Sequence, residues 1–291
     1  MVLLHVKRGD ENQFLYETNL SIAVKDLTAQ LVTIYNGRLK VSRVCAEMEE
    51  LSKHGIMLPP EMLGLTDEQV EELHLVDEWG EKCVPSGGWV SNPDPVGRRN
   101  GRQPQEKMQE VLEKAIADAK QLVSKKRMDH GQIMQQRIVQ DALDLLRGAT
   151  MIVYPMQLPP HDPIRMEFTN TEDLSGTQAS LDVIEPSKAQ LWFAGKQMLP
   201  ECKLGDIIGN NEKTKIIIKL TKINEGAPGR EPVVSEEARK QMMLHAYRRQ
   251  EELKKLEQDD DDQYLNSSWS DSRSLKCQVH GLADVKFKFT K

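Results

Sequence analysis

The chain has 291 residues, 38% hydrophobic and 29% charged, which is enough to bury a sizeable core in one or two domains. A formal net charge of −6 counts against nucleic acid as the main partner, because phosphate binding calls for an excess of Lys and Arg. No apolar run approaches the roughly 18 residues of a membrane span, so no membrane insertion is expected.

The opening MVLLHVKR lacks the basic start and the apolar length of a signal peptide, and it lacks the Gly of a myristoylation site. Residues 2–6 and 13–17 alternate about the turn RGDEN at 8–12 and predict a β-hairpin. Val24, Leu27, Leu31 and Ile34, spaced three or four apart, predict an amphipathic helix closed by Asn36 and Gly37. Val41, Val44, Met48 and Leu51 predict a second helix stopped by Gly55. The capping box TDEQ at 66–69 opens a short acidic helix to about Leu75.

Residues 83–104 are dense in Gly, Pro, Asn and Ser and predict an exposed loop. Its Arg98, Arg99 and Arg102, beside Gly97 and Gly101, read as a solvated turn in preference to a phosphate site. Between 105 and 147 the apolar spacing turns helical, with Met108, Leu112, Ile116 and Ala119 on one face. After a break at 129–131, Ile138, Ala142 and Leu146 continue it, giving a helical hairpin ended by Gly148. Packing into the core is the favoured role for this hairpin, with a partner groove as the alternative. Residues 151–154 and 164–168 suit strands, and 169–188 contain no convincing helix.

The most specific signal is LWFAGKQMLPECKLGDIIGNNEKTKIIIKLT at 191–221. It holds a short apolar strand, a hairpin turn at Gly195 and Lys196, a Leu-x-Asp helical turn at 204–206 and a β-branched strand at 215–220. That order resembles the second half of ubiquitin, and the strand–strand–helix of residues 1–55 is the opening half. The expected fold is therefore α+β. A discontinuous ubiquitin-like β-grasp domain is built from 1–55 and 186–225, interrupted by an acidic helix and exposed loop (56–104), the helical hairpin (105–148) and a strand-containing connector (149–185). A linker and charged helix at 226–262 and an aromatic-bearing tail at 263–291 follow.

Trp192 falls where the ubiquitin family carries an exposed apolar residue at the centre of its partner-binding face. With Gly195 and Lys196 of the turn it is the candidate partner site, unless the insertion or the tail covers it. A modifier's terminal Gly-Gly is missing after the last strand, so the ubiquitin-like domain reads as built in rather than conjugated.

Catalytic signals are weak. The single Gly-Lys lacks the Walker spacing, and no His-Glu-x-x-His occurs. The four cysteines, Cys45, Cys83, Cys202 and Cys277, lack the spacing of a disulfide framework or a zinc site and read as reduced thiols. Cys45 belongs to an apolar helix face, and Cys83 with His161 and Asp162 is the one nucleophile pairing to consider, without an elbow or oxyanion hole around it. No catalytic residue, cofactor or metal ligand is expected.

Several segments together carry a more specific likeness: DEWGEKCVPSGG (77–88), GRRNG (97–101), MIVYP (151–155), PIRMEF (163–168), DLSGTQ (173–178), NEKTKI (211–216) and RRQEEL (248–253). Across essentially its whole length the chain resembles the cilia- and flagella-associated protein 298, or Kurly, family. The resemblance implies a non-enzymatic cytoplasmic factor, present also at the base of cilia, that supports preassembly of axonemal dynein arms. It implies protein partners (dynein assembly factors, chaperones, axonemal dynein chains) and a link to planar polarity of ciliated cells. A structural component of the axoneme, bound to tubulin or to a dynein arm, is the alternative.

Overall fold

Alternation at the N-terminus produces two antiparallel strands, β1 (Val2–Arg8) and β2 (Glu11–Thr18), with Val2, Leu4 and Val6 on the buried face. In the computed structural model, residues 1–65, 67–209, 211–229 and 236–259 are described. They fall into two units, residues 1–230 and 231–291.

The next element is one helix where two were predicted: α1 (Val24–His54) runs for 31 residues, about 46 Å, straight through Asn36 and Gly37. The Asn-Gly pair serves packing instead of ending the helix. A Cβ on Gly37 would lie 2.7 Å from Cγ1 of Val139, so only glycine allows a neighbouring helix this close. The Asn36 amide donates to the carbonyl of Ile184 at 2.6 Å, and its oxygen accepts from the N–H of Ile184 at 3.1 Å.

Two short helices follow, α2 (Asp67–Glu72), which ends before the predicted Leu75, and α3 (Glu78–Lys82). The expectation of an exposed loop at 83–104 is corrected. Strands β3 (Trp89–Ser91) and β4 (Arg102–Pro104) pair antiparallel within it, and Cys83 and Arg99 are buried. Its polar residues are spent on its own backbone and on α1. The Asp94 carboxylate accepts from the N–H groups of Val96, Arg98 and Arg99 at 2.9, 3.0 and 3.1 Å. The Asn92 amide donates to the carbonyl of Lys53 at 3.0 Å.

The helical hairpin is α4 (Glu106–Val123) and α5 (Gln136–Val153). Leu112, Ile116, Ala119, Ala142 and Leu146 all join the core, which is the packing role. The hairpin's second helix continues past Gly148, so residues 151–153 are helical and not a strand. Residues 164–168 are corrected likewise: they lie in α6 (Pro163–Thr169), begun by Pro163 and capped by the Asp162 carboxylate on the N–H of Ile164 at 2.9 Å. The short helix α7 (Gln178–Asp182) comes next, so no strand occurs among the described residues of 149–185.

The chain then returns as β5 (Ala189–Phe193), β6 (Lys196–Gln197), α8 (Leu204–Ile208) and β7 (Lys215–Lys222). The five-stranded sheet has the order β2-β1-β7-β5-β6, in which β7 runs parallel to β1 and every other pair is antiparallel. The fold of this unit is thus α+β. Leu4, Val6, Leu191, Ile218 and Leu220 point from the sheet into the same apolar core as Leu27 and Leu31 of α1.

Helix α1 joins the sheet to the helices of this unit: its first turns face the sheet, and its second half packs on α4 and α5. The hairpin is therefore part of the same core. At its tip Ile133 bridges to Leu15, and the N–H of Met134 donates to the Leu15 carbonyl at 2.7 Å, covering the β2 edge of the sheet. Ion pairs fasten the rest, with Arg43 donating to Glu167 at 2.6 and 3.1 Å and Lys40 to Glu172 at 3.2 Å.

In the second unit the described element is α9 (Glu236–Asp259), a charged helix with Met242, Met243, Leu244, Tyr247 and Leu253 exposed. The predicted tail at 263–291 and Cys277 lie outside the described residues.

Candidate functional site

The sheet's other edge, β6, is short and exposed, and the candidate residues gather there. Trp192 pairs with Gln197 and Phe193 with Lys196, which leaves Ala194 and Gly195 as a two-residue loop. Both have positive φ, +49° and +78°, the conformation of a type I′ hairpin turn. Gly195 needs to be glycine for that φ alone, since open space surrounds the position of its missing Cβ.

Strand alternation separates the candidates. Leu191 is buried under α1, so Trp192 points to the opposite face of the sheet, where it is half-buried. Its indole N–H is shielded and has no acceptor among the described residues. Lys219, its neighbour on β7, is also buried on that face and donates to the Gly229 carbonyl at 2.9 Å, so the chain beyond β7 folds back over part of it. Lys196 is exposed on the other side of the ribbon. There it lines an apolar hollow of about 320 Å³ with Phe193, Leu199, Cys202 and Ile207, and Leu199 is 60% exposed. The structure thus puts Lys196 on the wall of a hollow, leaves Gly195 in the open turn before it and sets Trp192 on the opposite sheet face. Such an edge can take an apolar side chain of a partner into the hollow beside exposed backbone.

The nucleophile pairing considered from sequence has the wrong electrostatics. Burial pushes the Cys83 thiol up, the reverse of what a thiolate nucleophile needs. The His161 ring Nε2 sits 3.1 Å from the Met57 carbonyl. Asp162 is fully buried and faces Arg99 at 3.9 Å, where burial raises its carboxyl pKa and the guanidinium opposes the rise. Cys45 is likewise buried, its thiol pushed up to about 11 by burial.

The solvated-turn expectation holds only for Arg98, which is half exposed. Arg99 is instead a buried structural joint and Arg102 is half-buried, each donating to the protein's own carbonyls rather than lining a phosphate cradle. Arg99, only 4% exposed, donates to the Gly55 carbonyl at 2.8 Å and to Glu47 at 2.7 Å. Arg102 donates to the Gly80 carbonyl at 2.5 Å and stacks on Trp89. Among the described residues no three His, Cys, Asp or Glu side chains converge as metal ligands, and no helix is long and apolar enough to cross a membrane.

Comparison with known proteins decides the family. The chain is 61% identical over 291 residues, the full length of both chains, to cilia- and flagella-associated protein 298 of Drosophila melanogaster. It is 60% identical over 288 residues, 99% of each chain, to the proteins of that name from Mus musculus and Homo sapiens. The family model described as Cilia- and flagella-associated protein 298 matches residues 189–285. The chain belongs to the cilia- and flagella-associated protein 298 family. That places it with cilium-associated proteins, a family not named for an enzymatic activity. No solved structure matches the chain.

Proposed function

We propose that this protein is a non-enzymatic adaptor that supports cytoplasmic preassembly of axonemal dynein arms and so the motility of cilia, with a further part in planar polarity. Its sheet and α1 form a ubiquitin-like β-grasp, and the β5–β6 edge with Trp192, Gly195 and Lys196 holds a protein partner, a dynein chain or an assembly chaperone. The observation that carries the reading is full-length identity of about 60% to proteins named for cilia and flagella, in a chain whose buried thiols lack the activation a nucleophile needs. The protein would act in the cytoplasm and at the ciliary base. An apolar hollow at an exposed sheet edge is the kind of surface that adaptor domains use.

Fractionation of ciliating cells tests this against the alternative of an axonemal component. An assembly factor stays in the detergent-soluble fraction together with unassembled dynein chains. Retention with salt-washed microtubules would contradict the proposal.

A further inference from the structure

Far from the β5–β6 edge, a cleft of about 430 Å³ opens between β2, the middle of α1 and the C-terminal end of α4. Arg38 forms part of its wall and is 7% exposed. Among the described residues it is the buried cation without a carboxylate: Arg99 has Glu47, and Lys219 has Asp10 at 3.5 Å. The Arg38 guanidinium has only neutral acceptors, all long: the Val123 carbonyl at 3.2 and 3.4 Å and the Gln13 amide oxygen at 3.4 Å. Beneath it lies the ring of Phe14, 5.4 Å from the guanidinium carbon to the ring centroid. Burial pulls its pKa down to about 10, as expected of a charge taken from water without compensation.

A second cleft, of about 810 Å³, shares Lys120 and Ser124 with the first and is lined by Lys126, Arg127 and His130. There too a cationic side chain is unfinished: Nε of Arg127 is buried without a hydrogen-bond partner among the described residues. The two clefts place Arg38, Lys120, Lys125, Lys126, Arg127 and His130 along one track, on a chain whose net charge is −6. Three carboxylates, Glu11, Asp118 and Asp182, interrupt it; Lys125 is held by Glu11 at 2.6 Å and Lys120 by Glu49, so Arg38, Lys126 and Arg127 carry the track's open charge. This spacing disfavours a continuous phosphate backbone and suits separate carboxylates on a peptide.

We infer that this track is a docking groove for an extended acidic peptide of a partner protein, with one carboxylate seated on the Arg38 guanidinium and later ones on Lys126 and Arg127. Arg38 offers a planar fork that fits a carboxylate bidentately, and the surrounding low dielectric strengthens that bond. The inference does not depend on the proposed role of the β5–β6 edge.

The test is fluorescence anisotropy of the full chain with a labelled peptide of alternating Glu and Ser, against the same peptide with Gln for Glu. The wild type should bind the Glu peptide in a salt-sensitive way and the Gln peptide at least about tenfold more weakly. Arg38→Met should weaken Glu-peptide binding about tenfold or more while leaving the melting temperature unchanged or raised, because an unpaired buried charge is removed. The double variant K126Q/R127Q, at an exposed and a half-buried position outside the core, should also weaken binding and keeps the test decisive if R38M fails to fold. Equal binding of the two peptides, or tighter binding of a labelled single-stranded oligonucleotide, would overturn the inference. So would unchanged affinity in a folded R38M, or in K126Q/R127Q.

Discussion

The returning strands at 189–222 and the segment at 83–104 reach order by opposite routes. The first is held by apolar alternation, with Leu191, Ile218 and Leu220 fully buried against α1. The second has almost no apolar core of its own and is held by a carboxylate that gathers three N–H groups and by an arginine buried between Glu47, Gly55 and Asp162. Apolar periodicity is written locally in the chain. The buried arginine of a polar joint is satisfied by partners far along the chain, such as Gly55 and Glu47, 44 and 52 residues before Arg99.

The sharpest way to break the comparison is to remove the centre of the polar joint. Arg99→Ala leaves Asp162 buried without its countercharge and should cost about 3–5 kcal/mol in urea unfolding. A loss under about 1 kcal/mol would mean that 83–104 is ordered by something else. The apolar counterpart, Leu191→Ala, should cost about 2–5 kcal/mol by opening a cavity under α1.

A pair of helix glycines separates packing from propensity. Gly37→Ala forces a Cβ to 2.7 Å from stiff, β-branched Val139 and should destabilise by about 1–3 kcal/mol despite alanine's better helix propensity. Gly148→Ala meets nothing within 4 Å and should instead stabilise by about 1 kcal/mol. Two changes of the same sign in thermal unfolding would refute the close approach of α1 and α5.

The smallest effect is one of pH. Burial alone would raise the Asp94 carboxyl, but the N–H groups of Val96, Arg98 and Arg99 together hold it below the usual range. A depressed acid stabilises the fold above its unfolded pKa, and the stabilisation is lost as pH falls through the folded value. Amides at 96–99 should therefore lose hydrogen-exchange protection on acidification below about pH 4, before those of β1 and β7. Simultaneous loss would contradict a local role for Asp94.

The same contrast explains what the sequence made legible. The hairpin of β1 and β2, the apolar stripe of α1, the helices α4 and α5 and the turn at Gly195 all follow from local periodicity or turn chemistry. Residues 151–154 and 164–168 misled because short apolar runs suit a helix and a strand equally, and Pro163 after Asp162 was the better signal of a helix start. Asn36 and Gly37 read as a stop because their partners, Ile184 and Val139, are distant in sequence. Arg38 could have been noticed. It falls three and four residues from Tyr35 and Ile34 and three before Val41, on the buried stripe, where a lone cation asks for an anion. At the β5–β6 edge, the turn was readable, whereas the cover over Trp192 was left open by the sequence because strand alternation gives its face but not what packs there; the structure makes it half-buried.

The most direct measurement is affinity purification from ciliating cells of the wild-type chain beside Trp192→Ala, with thermal unfolding of both. The account predicts cytosolic dynein chains and chaperones on the wild type and their loss from a variant that still folds. Tubulin and assembled arms recovered equally by both chains, or a collapse of stability in the variant, would contradict it.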